Sequence, residues 1–133
     1  MKVEVFGPKC SSKRDASDIY SITDTNEGLV VLVDLVDEYG NRKDLKVSFY
    51  SAQGFRYLDE GDLTYYWQND VFQEPYNVFK IISGGWSNGE KRQIGILDIC
   101  SAIEVSEWFI VTSNGCLNVL SNEEPSIEFV KNA

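Results

Sequence analysis

Polar and apolar positions along this chain alternate with a period of two far more often than they recur every three or four residues, the pattern of strands with one face buried. Val3 to Phe6 alternates apolar and charged residues, and Gly7-Pro8 marks its expected end. From Lys9 to Thr25 the chain is polar apart from Ile19, Tyr20 and Ile22, and reads as a loop or edge segment. Leu29 to Asp37 is β-branched and nearly continuous, as suits a central strand buried on both faces at its start. Tyr39-Gly40-Asn41-Arg42 supplies turn chemistry, and Leu45 to Tyr50 places Leu45, Val47 and Phe49 on one face, so the two runs predict an antiparallel hairpin. Phe55 to Leu58 alternates again and is expected on the same sheet.

The pattern then changes. Asp59-Glu60-Gly61-Asp62 precedes Leu63-Thr64-Tyr65-Tyr66-Trp67, which predicts a short helix or helical turn beginning at Asp62, although these aromatic residues also suit a strand. Asn69-Asp70 and Glu74-Pro75 mark a loop, Tyr76 to Ile82 a strand stopped by Ser83-Gly84-Gly85, and Ser87 to Glu90 a further turn. Gln93 to Ile103 fits a strand or a short helix equally well. Trp108 to Ser113 and Cys116 to Ser121, separated by Asn114-Gly115, predict a hairpin with a type I′ turn, and Ile127 to Val130 a last short strand. Strands joined by tight turns without long helices imply a mainly β, β-rich α+β fold: an antiparallel sheet curled into a sandwich or open barrel, with one or two short helices. Residues 1–133 should form a single domain.

Charge and composition narrow the chemistry. The chain has 12 Lys plus Arg against 21 Asp plus Glu, a net charge of −9, and no His. Triads, Cys–His pairs and His-ligated zinc therefore drop out, and no metal or cofactor site is expected. From Gln93 to Val130 there is no Lys or Arg, while Asp98, Glu104, Glu107, Glu123, Glu124 and Glu128 are acidic. A shared negative face would repel nucleic acid and anionic membranes and speed encounter with a basic partner; the same charge would also simply keep the chain soluble. The first residues lack the apolar run of a signal peptide, and the longest apolar stretch, Leu29 to Val33, is far short of the ~20 residues that span a bilayer, so a cytoplasmic protein is expected. Cys10, Cys100 and Cys116 are odd in number and widely spaced, which suits reduced thiols. Cys10 has the basic neighbours Lys9, Lys13 and Arg14, which would lower its pKa, yet no His stands ready to activate it.

Motifs with catalytic potential are sparse. The Asp59-Glu60-Gly61-Asp62 cluster reads as a solvated turn better than as an acid–base pair, and it lacks the rest of a calcium loop. Gly84 to Lys91 has glycines but no Gly-Lys-Ser/Thr ending, and reads as a hairpin loop. The aromatic residues say more. Nine fall between Phe55 and Trp86, of which Phe55, Phe79, Tyr57 and Trp86 suit a core, whereas Tyr65, Tyr66, Trp67, Phe72 and Tyr76 cannot all point inward from one short helix and a loop. Some should be exposed among the carboxylates, a surface suited to a basic protein.

Residues 55–67 (FRYLDEGDLTYYW) and 107–121 (EWFIVTSNGCLNVLS) are similar to segments of small bacterial proteins, some of which resemble immunity proteins of polymorphic toxin or contact-dependent inhibition systems. The resemblance covers roughly a quarter of the chain and contains no catalytic motif. It implies a small, acidic, cytoplasmic, non-enzymatic protein that blocks a toxin by occluding its active site. On this reading Asp59, Glu60, Asp62, Tyr65, Tyr66, Trp67, Asp70 and Glu74 are the expected contacts for a basic toxin domain such as a nuclease. The competing expectation is a β-barrel or sandwich that binds a small apolar or carbohydrate ligand, with aromatics lining a pocket. A carboxylate-pair enzyme and a purely structural subunit are the remaining possibilities.

Overall fold

The longest apolar run of the chain becomes a central strand of a sheet, β3 (Gly28–Val36), flanked by β2 (Asp18–Thr25) and β4 (Arg42–Phe49). In the computed structural model, which describes residues 1–12, 14, 16–90, 95–97, 99–100 and 103–130, these strands and β9 (Ser126–Val130) form a four-stranded antiparallel sheet in the order β2-β3-β4-β9. A second antiparallel sheet has the order β1-β6-β7-β8-β5, built from β1 (Lys2–Lys9), β6 (Tyr76–Ser83), β7 (Ser106–Val111), β8 (Gly115–Ser121) and β5 (Ala52–Asp59). The fold is mainly β, and the two sheets pack as a sandwich without closing into a barrel. Among the described residues no helix is long and apolar enough to cross a membrane.

Alternation explains the contact between the sheets. Leu29, Val31, Val33 and Leu35 from β3 and Leu45, Val47 and Phe49 from β4 meet Val78, Trp108, Ile110, Leu117 and Val119 from the other sheet. Each such side chain gains about 1.5–3 kcal/mol by leaving water. The opposite face of the four-stranded sheet carries charge, with Arg42 and Asp34 paired at 2.8 Å.

The strands that are buried on both faces are β7 and β8 rather than β3, whose Val30 and Leu32 stay partly exposed. The reason lies in residues 60–73: a 3-10 turn at Glu60–Asp62, the short helix α1 (Thr64–Trp67) and a second 3-10 turn at Asp70–Gln73 cover the far face of the five-stranded sheet. Their Leu63, Tyr66 and Phe72 pack on Phe79, Phe109 and Val111 in a second core.

Three local expectations are corrected. Gly7-Pro8 does not end β1; Gly7 takes a left-handed φ of 81° and the pair forms an irregularity through which pairing with β6 continues to Lys9. Pro8 is tolerated there because β1 is an edge strand. Of the two readings of Lys9 to Thr25, loop or edge segment, the edge holds for Asp18–Thr25, which form the edge strand β2. β5 joins the five-stranded sheet by pairing with β8, so it leaves the sheet of the β3–β4 hairpin. The β7–β8 hairpin forms, with Val111 opposite Cys116, but neither Asn114 nor Gly115 has positive φ, so its turn is not type I′. The tip is Ser113-Asn114, closed by the Thr112 amide and hydroxyl donating to the Gly115 carbonyl at 3.3 and 2.6 Å. Of the stretch Gln93 to Ile103, residues 93, 94, 98, 101 and 102 lie outside the described residues.

Candidate functional site

The site grows from the end of β5. Arg56 and Leu58 point toward the covering segment, and Asp59 begins it by accepting a hydrogen bond from the Gly61 amide at 2.8 Å. Asp59 is thus the cap, where Asp62 was expected, and α1 itself has no side-chain cap. The Glu60 amide donates to the Asn114 carbonyl at 2.8 Å, tying the turn to the β7–β8 loop. Asn69 caps the second turn through the Val71 amide at 3.0 Å and donates to the Met1 carbonyl at 2.7 Å.

Of the expected contact residues, Asp59, Glu60, Asp62, Tyr65, Asp70 and Glu74 are exposed on this segment. Tyr66 is corrected: at 1% exposed it is a core residue, its ring 4.8 Å from Phe109, and not part of an exposed aromatic surface. Trp67 is half-buried, packed near Phe72 and Phe109, with its indole N–H donated to the Glu60 carbonyl at 2.8 Å. Their spacing on a single turn drives both rings into the sheet, so one four-residue helix buries more aromatic surface than its length suggested. Phe72 is also fully buried, whereas Phe55 and Tyr57, expected in the core, are 40% and 47% exposed on the edge strand β5.

The five exposed carboxylates have no Lys or Arg within 4 Å among the described residues. Elsewhere acids are neutralised locally: Asp34 by Arg42, Asp37 by Lys43 at 3.0 Å, and Glu90 by Arg56. The C-terminal acidic stretch contributes less to a shared face than its sequence implied. Glu107 is 1% exposed, Glu128 lies 4.0 Å from Lys46, and Asp98 lies outside the described residues.

Beneath α1 sits a polar network that the sequence reading missed. Arg56 grips Glu90 with two N–H groups at 2.8 and 2.7 Å, and also donates to Asn118 Oδ1 and to the Tyr66 hydroxyl. Tyr66 donates to Glu90 through a short bond, and Asn118 Nδ2 donates to Tyr66 at 3.1 Å and to Glu107 at 2.9 Å. Glu107 in turn accepts from the Trp86 and Ser87 amides at 3.1 and 2.8 Å. Burial works against an ionised Glu90, but the bonds from Arg56 and Tyr66 outweigh it and hold its pKa below the usual carboxylate range. Burial, reinforced by the charges of Glu107 and Glu90, pushes the Tyr66 phenol well above its ordinary value, so it stays a neutral donor. Each of these groups is already engaged by another, which suits a clamp holding residues 86–90 against the sheet. The readable signal was Asn118, a lone polar side chain in the apolar run of β8, opposite Arg56 in register.

The remaining candidates are inert. Cys10 is 3% exposed, and desolvation raises its pKa despite the opposing charge of Arg14, contrary to the activation expected from its basic neighbours. Cys116 is pushed up to about 12, chiefly by burial. Among the described residues, no three Cys, Asp or Glu side chains converge as a metal-binding set. An open cleft of about 510 Å³ lies beside α1, between Leu58, Leu63, Tyr65 and the Arg56–Glu90 pair, with Asp62 at its side.

No protein-family model, curated protein or solved structure matches this chain.

Proposed function

We propose that this chain is a non-enzymatic binding protein of the immunity type, which docks the segment 59–74 on a basic protein, such as a toxin nuclease domain, and excludes its substrate. One observation carries the reading: five exposed carboxylates, Asp59, Glu60, Asp62, Asp70 and Glu74, have no Lys or Arg within 4 Å among the described residues, on a segment otherwise bolted to the core. Like charges on one rigid segment cost stability through repulsion, and complementary Lys and Arg side chains of a partner would relieve it. Tyr65, exposed beside them, offers an aromatic anchor. A cytoplasmic, bacterial setting follows from the same reading. The alternative, a ligand pocket between the sheets, has less support, because Trp108, Phe49 and their aliphatic neighbours fill that space.

The test is co-expression with basic toxin domains encoded beside the gene, reading growth, together with stopped-flow association of the purified pair. Protection is expected, with association slowing about tenfold or more between low and high salt. A variant with all five carboxylates changed to amides should fold and lose that rate advantage. Full protection by this variant, or association insensitive to salt, would overturn the proposal.

A further inference from the structure

We infer that the cleft beside α1 receives a long basic side chain of the docked partner, an arginine; this deepens the docking reading and rests on it. The cleft holds about 510 Å³, within the roughly 300–1,000 Å³ of sites that enclose small ligands. Its chemistry selects the occupant. Leu58 and Leu63 supply apolar wall. Tyr65 is 46% exposed, yet its hydroxyl donates to the Gly84 carbonyl at 2.9 Å and its ring meets Tyr66 edge-on, so an aromatic face stands fixed before anything binds. Arg56 lies in the cleft, but its charge is taken up by the two-pronged bond to Glu90. Asp62 is left without a basic partner among the described residues.

An anion would have to compete with Glu90 for Arg56 while lying beside Asp62. A neutral apolar ligand would cover the Asp62 carboxylate without giving it a donor, which is costly. An alkyl guanidinium suits this lining: its stem packs on the leucines, its plane stacks on Tyr65, and its fork of N–H groups reaches the Asp62 carboxylate. The compact ammonium of lysine cannot stack in this way.

The probe is Nα-acetyl-arginine methylamide, titrated into the ¹⁵N-labelled full chain, with the citrulline analogue as a neutral isostere. Saturable shifts centred on the amides of Leu58, Leu63, Tyr65 and Gly89 are expected, with citrulline binding about tenfold or more weakly, a difference characteristic of one charge-assisted pair. Asp62→Asn, a change at an exposed position, should bring arginine down to the citrulline level. Equal binding of the two probes, or shifts centred elsewhere, would overturn the assignment. Protection from a toxin without discrimination between the probes removes the cleft assignment and keeps the docking reading. Discrimination without protection keeps arginine binding but overturns its assignment to a docked protein.

Discussion

Arg56 and Glu90, thirty-four residues apart, form a two-pronged ion pair whose side chains are each less than a quarter exposed. The pair joins the edge strand β5 to the end of the 84–90 turn, and Tyr66 and Asn118 complete its hydrogen bonding. Removing one partner therefore leaves the other charge half-buried and short of bonds, a larger loss than for a surface pair.

Glu90→Gln is expected to cost about 2 kcal/mol at neutral pH, read as a lower urea midpoint. The sign with pH follows from the depressed pKa of Glu90: its contribution is complete above the unfolded value near 4.3 and is lost as pH falls through the lower folded value. The gap between wild type and Glu90→Gln should therefore shrink in acid. A gap that widened below pH 4 would contradict this account.

Glu107→Gln tests the inner half of the network. Both carboxylate oxygens of Glu107 accept N–H bonds, and an amide places an NH₂ group against at least one of those donors. A loss of about 2–3 kcal/mol is expected, with faster hydrogen exchange at the Trp86 and Ser87 amides. An unchanged melting temperature would mean that this acid does not hold the turn.

Gly115 is needed for space. A Cβ there would collide with the phenol of Tyr57 on the neighbouring strand, while the backbone itself is not left-handed. Because Tyr57 lies at the edge and is 47% exposed, its ring can move aside, so Gly115→Ala should cost only about 1 kcal/mol. Combined with Tyr57→Ala, the two losses should be clearly less than additive. Additive losses in a double-mutant cycle would place the strain elsewhere.

The thiols should be quiet. Burial raises the pKa of both Cys10 and Cys116, so at pH 7.5 neither should react with a thiol reagent in the native state, and both should label after denaturation. Rapid labelling of native Cys10, identified by peptide mass, would reopen its role.

Strand positions were readable wherever one face is buried, because alternation then maps directly onto packing: Leu45, Val47 and Phe49 all lie in the core between the sheets, as their spacing requires. Sheet membership was not. The sequence of β5 is compatible with pairing beside β4, and its actual partner β8 lies some sixty residues away, so only tertiary packing decides between them. The same holds for the site. The exposed acids are legible from composition and turn chemistry, whereas the inward faces of Tyr66 and Trp67 are not, because a four-residue helix offers no period from which to read them. Glu90 looked like a turn residue since its partner Arg56 sits on a distant strand.

The order of strands in the five-stranded sheet also bears on how the chain assembles. β1 pairs with β6 and β5 with β8, so a chain emerging from its N-terminus presents two strands whose neighbours have yet to be made. The β2-β3-β4 meander needs only local contacts and should gain structure first, in microseconds to milliseconds, while its apolar face waits for a second sheet that closes across long loops. Until residues 106–121 arrive, that face is open to other chains. Aggregation during synthesis, and its suppression by slower expression or a chaperone, is the practical consequence of placing the two most buried strands near the end of the sequence.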